Sequence, residues 1–346
     1  MSMEGGGSMK IPPLQIKEFL KNKNVLVTGG TGSIGREMVS ELLKYDPAKV
    51  VVFSKDDSKQ YLMQQKYVGQ GNLSFCLGDI RDDQRVEFVT RGMDLIFHTA
   101  ALKQVPICET NPYEAAMTNI VGSENLIRAS IRNHVGKVIN ISSDKAVHPI
   151  NIMGATKFIA EKQFQQADIL MNNGHTAFCT VRFGNVIGSR GSVIPLFMNQ
   201  ASSGRPLTIT DLNMTRFFMT TAEAVSLTLK AAYYSVGGET FILKMESLRI
   251  KELVEAVQDY CRKIGSPVPP TKIIGVRAGD KLYEELMTVE EAKKALEDDQ
   301  LYVIREQEDH SPFFHFLPTS MSSYRSDQVH AITKEEMVRL LEQLYQ

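Results

Sequence analysis

Thr28-Gly29-Gly30-Thr31-Gly32-Ser33-Ile34-Gly35 follows directly on the apolar run Asn24-Val25-Leu26-Val27. An apolar run, a glycine-rich turn and then a helical stretch predict a strand that opens into a helix from about Ser33 to Lys44. Each glycine has its own task. Gly29 permits the backbone angles of a tight turn, Gly32 lets the main chain approach a pyrophosphate, and Gly35 lets the helix lie close to the strand. The helix start, with Thr31, Ser33 and Ile34, aims its free amides at phosphate oxygens. A second apolar run, Lys49-Val50-Val51-Val52-Phe53, completes a strand–helix–strand unit. These residues predict a dinucleotide site.

The same alternation continues outward. Strands are expected at 24–28, 49–53, 73–77, 94–97, 137–141 and 177–183, with helices between them, notably over 112–133 and 151–173. Short, continuously apolar strands alternating with helices imply parallel strands buried on both faces. The expected fold class is α/β: a Rossmann-type doubly wound parallel sheet with a smaller, mostly helical substrate-binding lobe. The expected divisions are 1–8 as an expression-tag scar, 9–190 as the dinucleotide-binding domain, 191–304 as a lobe partly interleaved with the sheet, and 305–346 as a C-terminal extension. Helices are expected near 192–203, 221–235 and 249–263, and a short strand at 240–243 that returns to the sheet.

Composition narrows the class. A formal net charge of −1 over 346 residues gives no electrostatic reason to expect nucleic acid or an acidic membrane as partner. No apolar stretch approaches bilayer-spanning length. The four cysteines are scattered and read as reduced thiols of a cytoplasmic protein, and the seven histidines have no metal-ligand spacing.

Strand ends set the cofactor type. After the second strand comes Ser54-Lys55-Asp56-Asp57-Ser58-Lys59, where a hydroxyl and two ammonium groups (Ser54, Lys55, Lys59) suit a 2′-phosphate and favour NADP over NAD; Asp56 and Asp57 pull the other way. Asp79 and Ile80, after the third strand, would flank the adenine. Ala100 and Ala101, after the fourth, would let the dinucleotide lie against the backbone. After the fifth come Ser142-Ser143-Asp144-Lys145 and then Asn151-Ile152-Met153-Gly154-Ala155-Thr156-Lys157.

Here the chain resembles the extended short-chain dehydrogenase/reductases, whose Tyr-x-x-x-Lys pair sits on this helix. Lys157 fits the lysine, and Met153 occupies the tyrosine position. Further matches are Ala101-Leu102-Lys103-Gln104-Val105-Pro106, Ser143-Asp144-Lys145-Ala146-Val147, Arg182-Phe183-Gly184-Asn185-Val186, Gly191-Ser192-Val193-Ile194-Pro195-Leu196-Phe197, Thr208-Ile209-Thr210, Met214-Thr215-Arg216-Phe217 and Arg277-x-Gly279-x-Lys281-Leu282. Together they resemble the UDP-N-acetylglucosamine 4,6-dehydratases of polysaccharide biosynthesis, part of which carry Met at the tyrosine position. Asp280 departs from that group's usual glutamate.

The resemblance implies a hydro-lyase. Oxidation at C4 of the sugar acidifies the C5 proton, water leaves across C5–C6, and hydride returns to C6, so the cofactor is recycled. Asp144 would protonate the departing C6 hydroxyl and Lys145 would take the C5 proton. For that Lys145 must be neutral, its pKa pushed down by the nicotinamide ring and Lys157. A thioether has no exchangeable proton, so Met153 cannot be the base at C4; Asp144, with Ser143 orienting the C4 oxygen, and His148 are the candidates. Asn119 would belong to the active-site hydrogen-bond network beside the cofactor. Lys103, Arg190, Arg216 and Arg277 would neutralise a diphosphate. The resemblance also has Asn185 hold the sugar-diphosphate, with Ser192, Val193, Pro195, Leu196, Thr208 and Thr210 lining a uridine pocket. The expected partners are a UDP-sugar and further copies of the chain, as a dimer or hexamer. Two other readings stay open: an epimerase or reductase on the same scaffold, and a catalytically silent dinucleotide sensor. The C5 stereochemistry is also open, with segments resembling both inverting and retaining members.

Overall fold

The structure, a computed structural model, describes residues 13–171, 175–189, 192–276, 279–306, 313 and 315–345. Six strands, β1 (Asn24–Thr28), β2 (Lys49–Ser54), β3 (Leu73–Leu77), β4 (Leu95–His98), β5 (Lys137–Ile141) and β6 (Ala177–Arg182), lie parallel in the order β3-β2-β1-β4-β5-β6. Successive side chains of a strand face opposite ways, and both faces are covered. Val25, Val27, Val50 and Val52 pack on Met38, Val39 and Leu42 of helix Ser33–Leu42 and on Val225 and Leu229 of helix Thr221–Tyr234. Leu26, Val51, Ile96 and Val138 face the other side, against Val86 and Val89 (Asp83–Thr90), Leu126 and Ile127 (Gly122–Arg132) and Phe164 (Ile152–Met171). Two-sided burial is why the strands read as unbroken apolar runs.

The glycine turn does what its sequence predicts. Gly29 has a φ of +66°, and a Cβ there would come within 2.7 Å of the Ala100 main chain; a Cβ on Gly35 would meet the Gly29 carbonyl oxygen at 2.5 Å. Strand, turn, helix and the β4 loop can meet this closely only without side chains at those two positions.

Beyond β6 the sheet departs from an all-parallel plan. Strand Thr240–Leu243 adds in parallel, but Leu301–Ile304, Leu296–Glu297 and Leu317–Pro318 extend the edge antiparallel, giving ten strands among the described residues. Leu296–Glu297 and Leu301–Ile304 are joined by a short hairpin connection, and such a connection reverses direction where a helical crossover preserves it. The 305–346 segment divides between two bodies. Its strand Leu317–Pro318 joins the main sheet, while its helix Lys334–Tyr345 puts Met337 and Leu341 into a second core with Ile194, Phe197, Leu207, Phe218, Leu253 and Val257. Ser192, the N-cap of helix Val193–Ser202 in that smaller lobe, lies in the same hollow as Ser142 and Ser143 just past β5.

One irregularity matters for the site. The helical run Pro112–Arg132 is interrupted by a π-turn at Met117–Val121, a feature often found at functional positions.

Candidate active site

A cleft runs along the carboxyl ends of β1 to β6, the position at which open α/β sheets bind ligands. Its first part, about 280 Å³, is lined by Gly29, Thr31, Gly32, Ser33, Ile34, Gly35, Ser54, Lys55, Lys59, Asp79, Ile80, Ala100 and Ala101. The strand-end reading therefore brings together one continuous set. Thr31 Oγ1 lies 2.8 Å from Ser54 Oγ and ties the glycine turn to the tip of β2.

The two lysines expected to hold a 2′-phosphate are engaged otherwise. Lys55 Nζ lies 3.7 Å from Asp79, and Lys59 pairs with Asp56, whose carboxylate also caps helix Asp57–Lys66. That cap explains an acidic residue that the sequence left as a contradiction. Both pairs are exposed enough to exchange partners at little cost. Burial pushes the Asp79 carboxyl up, but hydrogen bonds from Arg81 and the Lys55 charge outweigh it and hold it below the ordinary range. Sequence reading missed Arg36, an exposed cation on the first turn after Gly35, which stands with Thr31, Ser33 and Lys59 around an adjoining hollow. Its place one residue past the glycine motif was the available signal.

The second part of the cleft, about 370 Å³, shares Ile34, Thr99, Ala101 and Lys103 with the first, and adds Ser142, Ser143, Lys145, Met153, Lys157, Gly184, Asn185 and Ser192. Three elements build its floor. The turn Asp144–Ala146 leaves β5, helix Ile152–Met171 crosses beneath it, and Lys281 returns from far along the chain to donate to the Val147 carbonyl at 2.7 Å. Gly154 explains how close the first two come: a Cβ there would fall 2.1 Å from the Lys145 carbonyl oxygen. Asn151 starts the helix by accepting from the Gly154 amide and donating to Gly279. Arg182 braces it from below through Glu161, 2.7 Å away, and through Glu291.

Several expected roles change. Asp144 is fully buried and does not line the cleft. Its Oδ1 accepts from Ser143 Oγ (2.8 Å) and Lys145 Nζ (3.0 Å), and its Oδ2 is buried without a partner. Direct contact with a sugar hydroxyl is therefore replaced by contact through Ser143 or Lys145. Nor is Lys145 made neutral by its surroundings. Burial pushes it down, but Asp144 and Glu284 beside it win, and its pKa is raised. Lys157 is the lysine that burial brings down, to about 8, with Glu161 opposing; its Nζ donates to the Ile141 carbonyl at 2.5 Å.

Met153 is buried and packs with Cys108 and Ala115 while showing one side to the cleft. Asn119, on the π-turn, spends its amide on both main-chain groups of Leu102 and on Thr156, so it braces the cleft wall at Leu102. His148 is bound to Glu285 and lies outside the lining of the cleft.

On the substrate side, Lys103, Asn185 and Ser192 line the cleft. Arg216 is turned inward: its guanidinium donates to the carbonyls of Thr215 (2.7 Å) and Lys281 (2.8 Å), so it braces the 281–284 segment instead of facing a diphosphate. Val193, Pro195 and Leu196 on helix Val193–Ser202, and Thr208 and Thr210, stand outside both parts of the lining. Thr208 is paired with Gln200. Arg190 and Arg277 lie outside the described residues. Sequence reading missed Glu284 altogether.

The profile of a family described as polysaccharide biosynthesis protein matches residues 25–306, nearly all of the site's scaffold. The chain belongs to this family. It is 45% identical over 84% of its length to an uncharacterized membrane protein of Methanocaldococcus jannaschii, covering 87% of that protein. Among the described residues here, no helix is long and apolar enough to cross a membrane. It is 42% identical over 79% of its length to a UDP-glucose 4-epimerase of Rickettsia akari, covering 80% of it. The crystal structure of Pen from Bacillus thuringiensis superposes with a TM-score of 0.89 at 41% identity, over 94% of this chain and 98% of that one. The Rossmann-type fold of nucleotide-sugar epimerases and dehydratases, read first from residues 24–35, is that of this family.

Proposed function

We propose that the protein is an NADP-dependent 4,6-dehydratase acting on UDP-N-acetylglucosamine, a cytoplasmic hydro-lyase supplying a 4-keto-6-deoxy sugar nucleotide for surface polysaccharide or glycan synthesis. The observation that carries this reading is the Asp144–Lys145 pair at the inner end of the cleft, with the Met153 thioether in the tyrosine position. A 4-epimerase needs a base at C4 and nothing at C5. An elimination needs an acid and a base placed for C6 and C5.

The residues fit a dinucleotide. The Gly29 turn presses on Ala100, and a Cβ on Gly32 would meet nothing nearer than the Gly29 oxygen at 3.1 Å, so its outer side stays open. Ser54, Lys55 and Lys59, joined by Arg36, suit a 2′-phosphate. The cradle of Gly29, Gly32, Ser54, Lys55 and Lys59 would hold a nicotinamide dinucleotide, which would supply a reversible hydride acceptor for C4 and donor for C6. Ser143 orients the C4 hydroxyl and passes its proton to Asp144, 2.8 Å away, and the proton returns through Ser143 to the departing C6 hydroxyl as water forms. Lys145 removes the C5 proton and later restores one. Lys103 and Asn185 hold the diphosphate.

The epimerase reading is favoured by the names of the Rickettsia relatives. Incubation with UDP-N-acetylglucosamine in heavy water, followed by NMR, separates the two. Dehydration gives a C6 methyl group and deuterium at C5, and the C5 configuration assigns inversion or retention. UDP-N-acetylgalactosamine without C5 deuterium would overturn the proposal.

A further inference from the structure

Glu284 stands in the floor of the cleft with no part in the scheme above. It is 3% exposed, and its Oε1 lies 3.5 Å from Lys145 Nζ and 3.6 Å from Arg216 Nε. Its Oε2 is buried without a hydrogen-bond partner. The main chain of Glu284 is locked in place, its amide donating to Ser326 Oγ (2.9 Å) and its carbonyl accepting from the Ser326 amide (2.9 Å). The carboxylate is thus held against Lys145 by a segment some 140 residues further along the chain, with one oxygen uncommitted.

The surrounding charges define what such a group can do. Asp144 and Lys145 face it from the turn after β5, Arg216 from strand Thr215–Met219, and Lys281 from its own segment. Glu285 acts on Lys281, and Arg325 on the paired strand is spent on Asp327 and the Tyr283 ring. Two carboxylates, both buried, and three cations are gathered beneath the cleft, and Lys145 is the one of the five that lines it. Asp144 Oδ1 is nearer to Lys145 Nζ, at 3.0 Å, but it also accepts from Ser143 and serves the C4 proton in the scheme above, which leaves Glu284, 3.5 Å away, as the carboxylate with no other part in it.

We propose that Lys145 and Glu284 form an internal proton couple, in which Glu284 takes the proton that Lys145 must shed before it can act as base at C5. This rests on the dehydratase reading. One Nζ–H bond breaks and one carboxyl O–H bond forms, so an ammonium–carboxylate pair becomes an amine and a carboxylic acid, with no net proton exchanged with water. The amine then takes the C5 proton. Glu284 acts through Lys145 and does not touch the sugar, so it is a positioning residue. The couple reconciles two observations: Lys145 rests in the charged form, yet a C5 base must be neutral. Because both forms of the couple hold the same number of protons, turnover should be flat across the neutral range.

The test compares the full-length protein with Glu284→Gln, which keeps the shape and removes the acceptor. With NADP⁺ and UDP-N-acetylglucosamine in heavy water, the variant should lose about 10²–10⁴-fold in turnover and C5 deuterium uptake near neutrality. It should then recover about tenfold per unit as pH rises, since its lysine must now lose the proton to solvent. A purely structural defect would not be rescued by pH. Unchanged turnover, or a loss constant at every pH, overturns the couple. If Glu284→Gln does not fold, Glu284→Asp should be slower with the flat profile kept, and a pH-dependent profile in that variant overturns the idea equally. If the unaltered protein releases no dehydrated sugar, the reaction proposed above has failed. The couple is then judged on the ligand-free protein by ¹⁵N NMR of Lys145 Nζ, which must titrate at lower pH in Glu284→Gln; identical titrations reject it.

Discussion

Lys145 and Lys157 show how placement sets chemistry. Lys145, beside Asp144 and Glu284, is held charged, whereas Lys157, buried against the Ile141 carbonyl, titrates at about 8. The linkage for Lys157 has a definite sign. Its ordinary value is 10.5, so between about 8 and 10.5 the folded state holds fewer protons than the unfolded one. Stability should therefore rise with pH through that window, by up to about 1.4 kcal/mol per unit, and stay flat on this account below it. Urea unfolding across the window should show the rise in the unaltered protein and its loss in Lys157→Met; parallel curves would refute the assignment. Met153 and Asp144 separate in another way. Met153→Ala opens a gap beside Cys108 and Ala115 and should cost about 2–5 kcal/mol of stability while leaving measurable turnover. Asp144→Asn should keep the fold and lose about 10²–10⁴-fold in rate. Comparable rate losses in both would show that the thioether positions the sugar.

At the scale of elements, the approach of helix Ile152–Met171 to the Asp144–Ala146 turn depends on one hydrogen atom at Gly154. Gly154→Ala should push the two apart, costing about 1–3 kcal/mol and moving Lys145 and Lys157 relative to each other. Denaturant midpoint and turnover should fall together, and an unchanged kcat would show that the floor tolerates the shift. The strands around this contact were legible because burial on both faces leaves an apolar run that little else produces. The position of the Asp144–Ala146 turn was legible because Asp144 and Lys145 closely follow such a run. The burial of Asp144 was not, since it depends on the loop after β6, where a Cβ on Gly184 would stand 3.3 Å from Asp144 Oδ2. Glu284 was illegible for the same reason: among Tyr283, Glu285 and nearby lysines it reads as one more solvated charge until the chain folds back onto β5. The π-turn that aims Asn119 leaves no periodic mark, because it inserts one residue into an otherwise ordinary helical pattern.

In the whole molecule, apolar packing covers both faces of the main sheet, and the last helix belongs to a separate core in the smaller lobe. Removing residues from Lys334 onward takes Met337 and Leu341, both fully buried, out of that core while the main sheet keeps every strand. Such a truncation should weaken UDP-sugar binding far more than NADP⁺ binding, as calorimetry of each ligand would show; equal loss of both would mean the cores act as one cooperative unit.

The return of Lys281 and Glu284 to the β5 turn also has a consequence for how the protein is made. A ribosome delivers the glycine turn and both cleft lysines long before it delivers the segment that closes the floor beneath them. During synthesis there is an interval in which β1 to β5 are outside the tunnel and Lys145 faces Asp144 alone. A nascent chain in that interval already carries the residues of its dinucleotide cradle but has no Glu284 to receive a proton. If Lys145 and Glu284 act as proposed, a chain released before residue 284 would carry the cradle without the chemistry.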